Sequence, residues 1–207
     1  MAGVSFGDIF GIVYGMNDEF GGMVGEVEIP KWFYPFLEDR PFKRCLICEQ
    51  ELLGGDVQYL IEKAWKGTEV IFEYAICLAC IESQQEELSL ESLQNISKYF
   101  MTQPHFMGRP LEVVNWPAEE PGRWTQRCAL TNRPRWEVEN YQIFGHFRGD
   151  KMILSVYPLL ICDEATEALA ERLSKKTRDS LDDFVDEFLG MPPEFENAPE
   201  DTPLVLF

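Results

Sequence analysis

Two C-x-x-C pairs, Cys45-Leu46-Ile47-Cys48 and Cys77-Leu78-Ala79-Cys80, constrain this chain more than any other feature. The stretch between them, 49–76, is long enough for a β-hairpin, so the pairs can fold back and meet at one tetrahedral metal. Four thiolates at Zn–S distances of roughly 2.3 Å fill a zinc coordination shell and leave no position for water or substrate. Cys45, Cys48, Cys77 and Cys80 are therefore the candidate ligands of one structural Zn²⁺. The spacing further predicts that folding depends on the metal.

The two remaining cysteines fall into place when the halves of the chain are laid over one another. The step from Cys45 to Cys77 is nearly the same as the step from Cys128 to Cys162. Tyr59-x-Ile61 followed by Gly67 matches Tyr141-x-Ile143 followed by Gly149. Leu88-Ser89 and Leu173-Ser174 stand equally far beyond the second cysteine of each half, and Ser92/Thr177 and Ile96/Leu181 keep the register. Under this alignment Cys48 corresponds to Thr131 and Cys80 to Ala165. The pattern predicts a tandem duplication whose second copy has lost half of its ligands.

Composition bounds the rest. With 207 residues, 45% of them hydrophobic, the chain can bury a substantial core. No apolar run approaches the ~20 residues needed to cross a bilayer, and Met1 to Phe10 carry no basic residue of the kind that opens a secretory leader. Six cysteines in that context fit a reducing cytoplasm. The net charge of −18 is spread over the whole chain and repels polyanions at long range, which disfavours generic binding to nucleic acid or anionic membrane.

Along the chain, residues 1–40 form a glycine- and aromatic-rich segment with a strand at 23–29 and an apolar stretch, Trp32 to Leu37, expected to cover the core, with an exposed partner site as the alternative. Residues 41–103 make the first repeat: a cysteine knuckle, strands near 57–65 and 69–76, a helix opening at the second C-x-x-C, and a further helix capped by Ser89. Prolines and glycines mark 104–123 as a linker. Residues 124–190 repeat the plan, with strands near 138–147 and 151–157, a helix over 163–173 and another capped by Ser174. Residues 191–207 read as an acidic, proline-rich tail that is loose or only lightly docked.

A knuckle, a hairpin and a second cysteine pair at a helix start resemble the treble-clef class of zinc finger. The resemblance rests on residues 45–48, 57–76 and 77–80. It implies that Cys77 and Cys80 sit at a helix N-terminus, where free amides and the helix dipole favour thiolate. Knuckles of this type often carry glycine after the second cysteine; Glu49 and Ile81 stand there. The expected fold class is thus α+β, with two tandem treble-clef-like repeats, the first holding structural zinc and the second degenerate.

Three further groups bear on chemistry. Cys128 and Cys162 are expected to face one another as thiols or a disulfide, or to recruit His146 into an open Cys₂His metal site. Arg123, Trp124, Arg127, Arg133, Arg135 and Trp136 could stack on bases and pair with phosphate, bind an acidic peptide, or pair within the chain. Asp179, Asp182, Asp183, Asp186 and Glu187 follow one solvated helix face. There is no P-loop, dinucleotide-binding glycine fingerprint or H-E-x-x-H, and no nucleophile–His–acid set can be assembled. The expected role is a non-catalytic, cytoplasmic zinc-binding scaffold or adaptor with a protein partner. A nucleic-acid binder using residues 123–136 and a metalloenzyme using Cys128, Cys162 and His146 are the alternatives.

Overall fold

The computed structural model describes residues 25–113 and 121–189. Most of the N-terminal segment, part of the proline-rich stretch and the whole acidic tail lie outside those residues. The described fold is α+β, built on one six-stranded sheet. β1 (Gly25–Glu28), β2 (Gln58–Lys66), β3 (Glu69–Cys77), β4 (Asn140–Arg148), β5 (Lys151–Leu154) and β6 (Leu159–Cys162) make up the sheet. Its order is β1-β5-β4-β2-β3, and β6 pairs with the part of β4 that β5 leaves free.

The hairpin of β2 and β3 turns through Gly67 at φ 59, and that of β4 and β5 through Gly149 at φ 54. Both turns need the left-handed backbone that glycine adopts without a steric penalty. The two hairpins are joined by an antiparallel ladder along the whole of β2 and β4, running from Gln58 opposite Arg148 to Lys66 opposite Asn140. Sequence patterning gives both hairpins but not this ladder. The halves of the chain share one sheet and one hydrophobic core, which runs from Phe33 through Tyr59, Ile61 and Phe147 to Leu160 and Leu169.

Helices follow the second cysteine of each half. α1 (Leu78–Glu87) starts from Cys77 as its N-cap, and α2 (Leu90–Met101) from Ser89, whose hydroxyl accepts from Ser92 N–H. Two more, α4 (Asp163–Ala170) and α5 (Lys175–Phe184), start from Cys162 and Ser174, and the Ser174 hydroxyl accepts from Thr177 N–H. Both serine caps stand where the sequence puts them, because a short hydroxyl side chain satisfies an amide that the helix cannot. On α5 the aspartates are not buried, while Leu181 and Phe184 are.

Two local readings change. The stretch that reads as a linker forms α3 (Pro104–Val113). Proline is well placed in a first helical turn, where its missing N–H has no partner to lose. Phe106 is fully buried, and the Arg109 guanidinium donates to the carbonyls of Val156 (2.7 Å), Trp124 (2.8 Å) and Pro158. The strand expected over 151–157 ends at Leu154, and a strand the sequence reading does not give, β6, follows Pro158, which has no N–H to offer a ladder.

The aromatic stretch after β1 covers the core only in part: Phe33 packs inward, while Phe36 and Leu37 are exposed. Phe33 is fully buried, Lys63 Nζ donates to Tyr34 O at 2.6 Å, and Phe36 N–H donates to Glu73 Oε1 at 2.7 Å. The Phe33 ring lies so close to β4 that a Cβ on Gly145 would sit 2.4 Å from its Cζ and 2.7 Å from the Phe147 ring. Among the described residues no helix is long and apolar enough to cross a membrane. Gly145→Ala is expected to lower stability by about 1–3 kcal/mol, since two buried rings must give way. Urea unfolding checks this; a midpoint equal to wild type would contradict it.

Candidate metal centre

The loop from Arg44 to Leu52 is a tight knuckle. Cys45 N–H donates to Gln50 O (2.9 Å), Glu49 N–H to Cys45 O (3.1 Å), and Leu52 N–H to Lys43 O (2.8 Å). Glu49 takes a left-handed φ of 58, at the position where glycine is common in such knuckles. Arg44 Nη1 donates to Glu49 O at 2.9 Å and so ties down that residue. Leu46 N–H donates to Ala75 O at 2.9 Å, which anchors the knuckle beside the end of β3, where Cys77 stands.

This arrangement brings all four sequence-predicted ligands together. The four sulfurs lie within 4.8 Å of one another and could hold a metal ion. Cys48 and Cys77 sulfurs are 3.7 Å apart, close to the ~3.8 Å separation of two sulfurs on one tetrahedral zinc. Cys77 N–H points at Cys45 Sγ at 3.4 Å. Cys45 and Cys77 are buried, Cys80 is half-buried and Cys48 is exposed, so an ion has a route from solvent.

The electrostatics favour a cation. Burial pushes the Cys45 thiol up, but the N–H groups of Cys48, Cys77 and Ile47 outweigh it and hold the group below its ordinary value. Burial raises Cys77, with the Cys45 sulfur adding to it and hydrogen bonds from Cys80 opposing it, and burial followed by the neighbouring sulfurs raises Cys80. Protein groups alone thus favour a thiolate at Cys45 and oppose one at Cys77 and Cys80. A divalent cation removes that conflict, because a coordinating thiol is deprotonated outright. The all-sulfur donor set is compatible with zinc.

Cys128 and Cys162 occupy a second constellation built the same way. Cys128 N–H donates to Arg133 O (2.9 Å), Asn132 N–H to Cys128 O (2.9 Å), and Ala129 N–H to Leu160 O (2.8 Å). Asn132 has φ 62, and Arg127 Nη1 donates to Asn132 O at 3.0 Å. Cys162 N–H points at Cys128 Sγ at 3.4 Å. The Thr131 hydroxyl lies 3.3 Å from Cys162 Sγ, and Ala165, fully buried, stands where the alignment puts the fourth corner. Both cysteines are free thiols. The Cys162 thiol and the Thr131 donors hold Cys128 well below an ordinary thiol, while Cys162 is pushed up by that shared proton and by burial.

His146 does not join them. Cys162 lies opposite Tyr141 on β4, and His146 is further along the same strand by a rise of about 17 Å. Its Nε2 instead lies 3.0 Å from Gln58 Oε1, and its ring packs edge-on against Tyr157. The Cys₂His site is therefore corrected: the pairing of β4 with β6 puts His146 in the core at the other end of the sheet. The arginine–tryptophan cluster is also divided. Trp124 is a core side chain, and Arg133 pairs with Glu164 (3.4 Å) and Asp163 (3.9 Å), whereas Arg127, Arg135 and Trp136 line a surface. Tyr141, which is buried, and the half-buried Trp65 pack beneath that surface, and sequence reasoning misses both because they read as ordinary strand residues.

Burial, aided by the Arg148 charge, pushes His146 down to about 4. Its folded value lies below its unfolded one of about 6.5, so the unfolded chain binds the proton more readily. The neutral-His contribution is whole above about pH 6.5 and is lost as pH falls towards 4, at roughly 3 kcal/mol in all. Comparing urea midpoints over that range, His146→Gln should show a flatter pH dependence than wild type. Parallel curves would contradict this placement. No family model, curated protein or solved structure matches this chain.

Proposed function

We propose that this protein is a non-catalytic, zinc-stapled scaffold that serves as a cytoplasmic adaptor for another protein. The observation that carries the reading is the convergence of Cys45, Cys48, Cys77 and Cys80 within 4.8 Å. Four sulfurs on one zinc close its coordination shell, so the ion holds structure and offers no position for chemistry. The knuckle, the β2–β3 hairpin and the cysteine pair opening α1 support assignment to the treble-clef class.

The second constellation is best understood as a degenerate copy. Its knuckle hydrogen bonds, its left-handed residue and its N–H to sulfur contact match those of the first site, with Thr131 and Ala165 in place of Cys48 and Cys80. The β2–β4 register adds independent support. Glu62 lies opposite Phe144, and the sequence offset between those two is the same one that aligns Tyr59 with Tyr141 and Gly67 with Gly149. Equivalent residues paired across a common midpoint are what a two-fold relation between copies requires.

The helix caps meet in the same reciprocal way. Ser89 N–H donates to Thr177 Oγ1 (2.9 Å), Ser174 N–H to Ser92 Oγ (2.7 Å), and the Ser89 and Ser174 hydroxyls lie 2.8 Å apart. An ancestral pair of identical repeats, once associated face to face and now fused, accounts for all of these contacts.

Protein purified without added metal should contain one zinc per chain by elemental analysis and native mass. Cys45→Ser should lose the metal and the cooperative melt, since structural zinc supplies folding free energy. Cys128→Ser should keep the metal and cost on the order of 1–2 kcal/mol for a buried thiol made hydroxyl. A Cys45→Ser protein that melts like wild type would overturn the reading.

A further inference from the structure

At the turn end of β2 and the start of β4 lies a groove of about 520 Å³, lined by Gly67, Thr125, Gln126, Arg135, Trp136 and Tyr141 among others. It is a volume suited to a few side chains of a ligand. Trp136 is 72% exposed, although an indole gains more than most side chains from being covered. The Arg127 guanidinium lies 5.9 Å from its ring centre. Arg135 lies 4.7 Å over the Tyr141 ring and donates to the Tyr141 hydroxyl at 2.6 Å, which fixes its guanidinium at the groove wall.

Aromatic packing continues beyond the groove, through buried Tyr141 and half-buried Trp65, to the exposed Phe36. Tyr141 stacks with Trp65 at 6.3 Å, and Trp65 meets Phe36, itself 59% exposed, edge-on at 6.2 Å. Neither Arg127 nor Arg135 has a carboxylate within ion-pair distance among the described residues. That is unusual in a chain with 36 acidic and 18 basic residues, where carboxylates are abundant. Two such guanidiniums flanking an exposed indole favour a ligand that brings carboxylates together with an apolar or aromatic side chain.

We infer that this groove is the docking site for an extended acidic peptide of the partner, its carboxylates on Arg127 and Arg135 and an apolar side chain on Trp136. The inference rests on the adaptor reading and gives it a surface. Arginine and tryptophan are the residues that most often dominate binding energy at protein interfaces, and arginine pairs with a carboxylate through two parallel N–H donors. A nucleic acid fits less well. Its phosphates need several cations in a row against a net charge of −18, and Arg133 is already held by Asp163 and Glu164.

The test is fluorescence anisotropy on the zinc-loaded full chain, with a short labelled peptide repeating Asp-Glu-Phe. The same peptide with Asn and Gln in place of the acids, and oligo-dT, serve as controls. Saturable binding of the acidic peptide, weakened about tenfold or more by Trp136→Ala and by Arg135→Gln, is the expected result. Both variants should keep the wild-type metal content and melt, which separates failure of the groove from failure of the zinc scaffold. Absence of saturable binding, indifference to both substitutions, or tighter binding of oligo-dT would overturn the proposal.

Discussion

β2 lies against β4 along its whole length, and that ladder turns two half-chains into one sheet with one core. A lone two-stranded hairpin is marginal in water. Each half here contributes little more than a hairpin and a few helices to the described fold, so neither has a complete core without the other. β2 is covered on one edge by β3 and on the other by β4; β4 in turn serves as the platform for β5 and β6. The elements outside the sheet then dock on what the ladder assembles. Phe33 seats on Gly145 of β4, and Arg109 of α3 gathers three carbonyls from the second half.

The candidate metal centre depends on the same frame. Its knuckle hangs from the end of β3 through a backbone bond, Leu46 to Ala75, and Cys77 occupies the last residue of β3 before α1 begins. The second constellation hangs from β6 through the equivalent bond, Ala129 to Leu160. Where the first site has sulfur at all four corners, the second has a hydroxyl and a methyl group at two of them. The second half holds its knuckle by apolar burial: Cys128, Ala129, Leu130, Cys162 and Ala165 are all at most 4% exposed. In the first half Cys48 is exposed and Cys80 half-buried. The half that would carry the metal is the one whose knuckle is less well buried.

Much of this was legible from residue types and spacing. The C-x-x-C pairs, the turn glycines 67 and 149, and the hydroxyl caps at 89 and 174 are local signals, each tied to chemistry that few other residues can supply. Long-range placement was not legible. Pro104 and Pro110 read as a linker because proline usually breaks helices, while the burial of Phe106 and the carbonyl partners of Arg109 depend on residues far away in sequence. His146 read as a possible ligand because nothing in the sequence shows that β6 meets β4 near Tyr141 and not near His146. The groove around Trp136 was half visible: the arginines and tryptophan were evident, but Tyr141 and Trp65 joined them only through strand pairing.

The central claim is a closed, all-sulfur zinc site in the first half of the chain. X-ray absorption at the zinc edge on protein purified without added metal tests it most directly. The account predicts a single shell of four sulfur neighbours at about 2.3 Å. Nitrogen or oxygen in that shell, or protein that carries no zinc and takes up none under reducing conditions, would contradict it.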